Sequence, residues 1–273
     1  LIAWKRLREA DVLLELFIFF NFAFLSLDIY LAHSINRFRH WAEWVPFWFS
    51  IVAALALLPG AIRSLRQEGH WEPARVGSLV GALAILVGVA GAFWHLDSHF
   101  FSEQTIRNLV YTAPFAAPLA YAGLGFLLLA NRMLERRSIA WAQWVLLLAL
   151  GGFVGNFFLS VLDHAQNGFF DALEWTPVAA SALAIGALVV ALAQPHDREY
   201  LRFVWLVLAL EIVVGVVGFA LHLTANLGGP GGMWENFLYG APIFSPLLFP
   251  NLALLAGIAV WVLTKSSINS SIP

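Results

Sequence analysis

The sequence predicts an all-α polytopic membrane protein with eight transmembrane helices, arranged as a tandem duplication of a four-helix unit. Three observations predict this. Hydrophobic types make up 60% of the 273 residues and charged types only 12%, whereas a soluble domain is about 25% charged. The apolar residues fall in repeated blocks of about 20, the length at which a helix crosses a bilayer. Three motifs also recur in the same order roughly 130 residues apart.

The same composition excludes cytoplasmic, disordered and nucleic-acid-binding readings. The net charge of −2 adds nothing specific. The chain has no Cys, which rules out disulfides, thiolate metal sites, iron–sulfur clusters and Cys nucleophiles.

The expected spans are 12–32, 45–62, 76–95, 109–130, 140–163, 176–193, 203–222 and 237–264. Polar, turn-rich stretches separate them, among them RSLRQEGHWEPAR (63–75), NRMLERRS (131–138) and QPHDREYLR (194–202). Span 1 has acidic residues near its start and no small-residue cleavage site, so it is read as a span and not as a cleaved signal. Block 45–62 is the one a seven-span reading would place on the surface. Span 8 contains Pro242, Pro246, Pro250 and Asn251, and its first turns are expected to be broken or re-entrant.

Charge orients the spans. Lys5, Arg6, Arg8, Arg63, Arg66, Arg75, Arg132, Arg136, Arg137, Arg198, Arg202 and Lys265 fall on one side, and only Arg37, Arg39 and Arg107 on the other. By the positive-inside rule both termini are expected in the cytoplasm, in a bacterial inner membrane. Residues 33–44, 96–108, 164–175 and 223–236 then form the exoplasmic loops. Trp41, Trp44, Trp48, Trp94, Trp175 and Trp234 lie near that interface.

The repeat is the most informative feature. HSINRFRHWAEWVP (33–46) aligns with HAQNGFFDALEWTP (164–177) at an offset of 131. VGVAGAFWHL (87–96) aligns with VGVVGFALHL (214–223) at 127, and NLVYTAPFAAP (108–118) with NFLYGAPIFSP (236–246) at 128. The expected halves are residues 1–135 and 136–273. With four spans each, they run parallel about an axis along the membrane normal. Gly88 and Gly91, matched by Gly215 and Gly218, permit either close helix packing or room for a flat cofactor or lipid headgroup.

Four histidines belong to these motifs: His33 with His164, and His95 with His222. All four end odd-numbered spans at the exoplasmic side. His40 and His99 lie in the same loops, while His70 and His196 lie on the cytoplasmic side. Asp28, Asp97, Asp163, Glu43, Glu174 and Glu235 are the acidic neighbours. Neutral imidazole ligates a metal through one ring nitrogen while a carboxylate holds the other.

Two chemistries fit such a set. In one, His33 with His95 and His164 with His222 each clamp a haem b, with the glycines admitting the ring. In the other, His33, His95, His164, His222, His99 and Asp163 supply ligands to a zinc, iron or copper ion that activates water. The bland reading has the histidines capping helix ends with no cofactor. In layout alone the chain resembles haem A synthase, with eight spans in two four-helix halves and an outer histidine pair in each. The loop cysteines of many members of that family are absent here. Its haem histidines lie on even spans, whereas these end odd ones. The resemblance implies only that such a layout can hold haem.

Other polar positions refine the picture. Asn21 and Asp28 share a face of span 1, as do Asn156 and Asp163 in span 5, and are candidates to support the histidines. Glu211 lies near mid-span; with Glu15 it is a candidate proton or cation path, or else a single interhelical hydrogen bond by a protonated Glu. Pro114 with Pro118, and Pro242 with Pro246, free backbone carbonyls near the histidines. Glu43–Trp44 and Glu174–Trp175 set a carboxylate beside an interfacial aromatic, as a helix-end charge or as a ligand near the histidines.

The sequence thus favours an integral membrane redox subunit in electron transport that binds haem b. The alternatives are a metal-dependent membrane hydrolase or transferase, a permease, and a non-catalytic structural or pigment/quinone-binding subunit of a larger complex. The expected partners are membrane lipids, with quinone or other membrane subunits.

Overall fold

A computed structural model describes residues 6–66 and 74–269. Lys5 and His70, both assigned to the cytoplasmic side above, lie outside the described residues. The described chain is helical, with no strand. The helices are α1 (Ala10–Ser34), α2 (Trp44–Arg66), α3 (Ala74–Asp97), α4 (Ile106–Tyr111), α5 (Leu119–Met133), α6 (Ile139–Gln166), α7 (Trp175–Ala193), α8 (Arg198–Leu227), α9 (Met233–Tyr239) and α10 (Leu248–Asn269). Single 3₁₀ turns at Trp41–Glu43, Ala172–Glu174 and Ser245–Leu247 lead into α2, α7 and α10.

Seven stretches among the described residues are long and apolar enough to cross a membrane. The protein is therefore an all-α integral membrane protein with several membrane-spanning helices. Block 44–66, the weakest by sequence, is one of the seven.

The fourth expected span differs from its reading as one continuous helix over 109–130. Helix α4 stops at Tyr111, Thr112 is extended (φ −67°, ψ 158°), and α5 starts only at Leu119, leaving a helix of 15 residues. The cause lies in Pro114 and Pro118. Proline disfavours helical backbone in the residue before it and lacks an N–H to continue the ladder. Pro118 is placed where that costs nothing, as the N-cap of α5. The eighth span breaks the same way, as its prolines predicted: α9 ends at Tyr239, and the long helix begins at Leu248 with Pro250 in its first turn.

Helices α1 and α2 pack together, as do α3 and α5; α6, α7, α8 and α10 form a ring of neighbours. Glycine decides how closely α3 and α5 approach. A methyl group at Gly88 would lie 2.6 Å from the Ala122 nitrogen and 2.9 Å from the Pro118 carbonyl oxygen. One at Gly91 would lie 2.8 Å from the Pro118 side chain. In the second half a methyl at Gly215 would lie 2.7 Å from the Pro246 oxygen, and one at Gly218 3.1 Å from the Pro246 side chain. The glycine faces are thus filled by the proline breaks of α5 and α10. They serve close packing.

A polar knot ties the halves at the end opposite the histidines. Arg132 donates to both oxygens of Glu15 on α1, at 2.8 and 2.7 Å. Asn131 donates to the same carboxylate at 2.9 Å and accepts from the Trp141 indole at 3.1 Å. Arg136 reaches Asp11 at 3.2 Å, and Arg137 reaches Asp11 and Glu9. Glu15 is therefore a structural ion-pair partner.

Asn21 also has a structural role. Its amide exchanges hydrogen bonds with Asn251 of α10, at 2.8 and 3.2 Å. Twelve residues separate it from His33, about 18 Å along a helix, which is too far to support the imidazole.

Candidate functional site

Helix α1 ends at the first histidine motif and α6 at its copy, and the two ends have the same backbone. The His33 carbonyl accepts from the amides of Asn36 and Phe38, and the His164 carbonyl from those of Asn167 and Phe169. The chain then turns through left-handed backbone, at Arg37 (φ 56°) and Phe38 (φ 49°) in one copy and at Gly168 (φ 72°) and Phe169 (φ 50°) in the other. A left-handed phenylalanine costs about 1–3 kcal/mol and persists only when its surroundings over-determine it. Those surroundings are visible: Phe38 stacks on Trp44 at 4.1 Å, and Phe169 on Trp175 at 4.0 Å. The next turn is capped by a side chain in each copy, His40 accepting from the Ala42 amide and Asp171 from that of Leu173.

Helices α3 and α8 bring the second histidine of each pair to the proline break. His95 Nδ1 lies 3.0 Å from the Pro114 carbonyl oxygen, and His222 Nδ1 lies 2.8 Å from that of Pro242. A carbonyl only accepts, so Nδ1 carries the hydrogen in both. In the neutral ring Nε2 is then left as an acceptor. The break is fixed by a further matched contact. Ser98 Oγ accepts from the Ala113 amide at 2.9 Å, and Asn226 Oδ1 from the Ala241 amide at 2.8 Å. Different residue types perform one task here, so letter matching does not find it.

The first pair predicted from sequence comes together. The rings of His33 and His95 lie edge to face, with centroids 6.1 Å apart. His164 is within electrostatic reach of His222, and its Nδ1 lies 3.5 Å from Glu174 Oε2. Glu174 Oε2 is buried without a hydrogen bond among the described residues, and so is Oε2 of Glu43, its counterpart in the first motif.

Other candidates stand apart. His99 is exposed in the loop after α3, and only its backbone carbonyl is engaged, by Asn108 and Ser102. Asp163 is half-buried near the end of α6. Among the described residues no group of three His, Cys, Asp or Glu side chains is placed to hold a metal ion.

Sequence reasoning missed one element of the first half. Ser50 and Tyr121 share a short hydroxyl hydrogen bond, and the Tyr121 hydroxyl also reaches the Pro46 carbonyl at 3.0 Å. Ser50 and Ser181 stand at the 131 offset, and that was the available signal.

Fold and site define a polytopic helical membrane protein with two histidine pairs at one end of its bundle. No protein-family model, curated protein or solved structure matches the chain.

Proposed function

We propose that this protein is a binding subunit of a membrane complex, and that each histidine pair receives the hydroxyl-bearing headgroup of a lipid-soluble molecule of the quinol class. The reading takes the chain as eight spans in two parallel halves, residues 1–135 and 136–273. The termini are taken as cytoplasmic and the histidines as facing the exoplasmic side of a bacterial inner membrane.

The observation that carries it is the matched Nδ1-to-proline-carbonyl bond at His95 and His222. It fixes the ring and presents Nε2 as an acceptor. Glu174 Oε2, which has no hydrogen bond and lies 3.5 Å from His164 Nδ1, adds an acceptor at the second pair. Sites rich in acceptors select donors, and a quinol offers two O–H groups on an aromatic ring. The stacked Phe38–Trp44 and Phe169–Trp175 pairs supply flat apolar walls beside them. Quinol entry from the bilayer suits the many apolar side chains left on the outer surface, such as Leu86 and Val89.

This reading is favoured over haem because the glycines that would admit a porphyrin are filled by Pro118 and Pro246. It is favoured over metal-dependent hydrolysis because the histidines form pairs and not a ligand triad. The test is solvent extraction of protein purified from membranes, with mass analysis of retained lipids and an absorption spectrum. The expected result is a retained quinone or quinol, reduced by about half in His95→Ala and again in His222→Ala. A haem Soret band, or no enrichment of quinone over bulk lipid, overturns the proposal.

A further inference from the structure

The interior of the second four-helix ring contains polar groups that its fold does not use. Glu211 of α8 and Ser181 of α7 are fully buried, and Asn156 of α6 is 3% exposed. Both carboxyl oxygens of Glu211, the Ser181 hydroxyl and the Asn156 amide nitrogen have no hydrogen-bond partner among the described residues. Buried polar atoms are nearly always satisfied, and unpaired ones point to a bound water, an ion or a chemical role.

The three positions lie on consecutive helices, with α7, which carries Ser181, packed against both α6 and α8. The histidines give their relative depth. Asn156 is eight residues below His164, and Ser181 is seven past Glu174, which touches His164. At about 1.5 Å per residue both sit roughly 10–12 Å beneath the pair, and Glu211, eleven residues before His222, sits about one turn deeper.

The first half differs, with Leu25 where Asn156 stands at the 131 offset. Ala84 stands where Glu211 does at the 127 offset. Ser50 is satisfied by Tyr121, whereas Phe249 occupies the Tyr121 position and leaves Ser181 alone. The extra polarity is confined to one half, so the repeat architecture does not require it.

Among the described residues of α6, α7, α8 and α10, the ionisable side chains other than Glu211 lie toward the helix ends. Helix α7 has no ionisable side chain, and α10 has only Lys265 at its far end, seated over Trp261. Helix α6 carries Asp163 and His164 at its outer end. On α8 itself, Arg198, Glu199, Tyr200 and Arg202 lie in the first turns and His222 three turns above. An unpaired carboxylate in such an interior is strongly disfavoured.

We infer that Glu211, with Ser181 and Asn156, forms a hydrated proton-binding site inside the second helical ring. Waters bridge the three side chains, and Glu211 takes up and releases one proton through them. The site is independent of what the histidine pairs bind.

The test is infrared difference spectroscopy of the full-length protein in lipid, recorded between acid and alkaline pH. The expected result is a protonated-carboxyl C=O band that shifts in D₂O and disappears in Glu211→Gln. It should persist in Asp28→Asn and Asp163→Asn and shift in frequency in Ser181→Ala. Glu211→Asp, which keeps a carboxyl if Glu211→Gln folds poorly, should move the band without removing it. A band unchanged in Glu211→Gln or Glu211→Asp, a Glu211 band that neither titrates nor exchanges, or one governed by sodium instead of pH, overturns the inference.

Discussion

His222 donates from Nδ1 to the Pro242 carbonyl across 2.8 Å, so a proline break in one helix sets the tautomer of a histidine in another. That carbonyl also accepts from the Ser245 amide at 3.3 Å, so His222→Ala removes one of its two partners and should destabilise the protein by about 0.5–1.5 kcal/mol. His222→Asn, whose amide nitrogen sits near the Nδ1 position, should recover much of that loss while still failing to retain ligand. Thermal unfolding in detergent, run beside lipid extraction, separates the two effects.

The Glu15–Arg132 pair is nearly buried, with side chains 9% and 4% exposed. Removing one partner of such a pair leaves an uncompensated charge and costs about 3–5 kcal/mol. Glu15→Ala or Arg132→Ala should each lower the unfolding midpoint sharply. The double variant should lose less than the sum of the two, as a double-mutant cycle would report.

Gly88 and Gly215 mark equivalent close approaches. Gly88→Ala and Gly215→Ala should each cost about 1–3 kcal/mol by overpacking against the proline break. Gly123, which meets nothing within 4 Å, is the control: its alanine variant should unfold at nearly the wild-type midpoint.

Phe249 occupies the place of Tyr121, and Ser181 that of Ser50. Tyr121→Phe removes the partner of a fully buried hydroxyl and should cost about 1–3 kcal/mol. Phe249→Tyr is the converse. If the halves share one geometry, the new hydroxyl bonds Ser181 and the variant is as stable as wild type or slightly more so, by about 0.5–1.5 kcal/mol. Marked destabilisation would show that the halves diverge at this level.

Much of this was legible in the sequence, for identifiable reasons. Seven apolar stretches among the described residues are long enough to cross a membrane, and the four histidines stood out because each recurs within a longer motif. The breaks near Pro114 and Pro242 were signalled by proline spacing, yet the first was read as a kink. The apolar run continues through Phe115–Ala117, and hydrophobicity does not register a missing N–H. The Asn21–Asn251 pair was not legible, since nothing local tells span 1 that its neighbour is span 8. Ser98 and Asn226 were missed because a hydroxyl and an amide do the same work with different letters. Ser181 drew no attention because a lone serine in an apolar helix ordinarily bonds its own backbone. Its match to Ser50 at the 131 offset and its missing partner mark it out.

The account rests on the Nε2 atoms of His95 and His222 as acceptors. Histidine ¹⁵N NMR of the full-length protein in lipid nanodiscs, with and without added quinol, tests this most directly. The account predicts that both residues are Nδ1–H tautomers and that their Nε2 resonances shift on quinol addition, with His95→Ala and His222→Ala each removing one of the two responses. Nε2–H tautomers, or Nε2 resonances unmoved by saturating quinol, would contradict it.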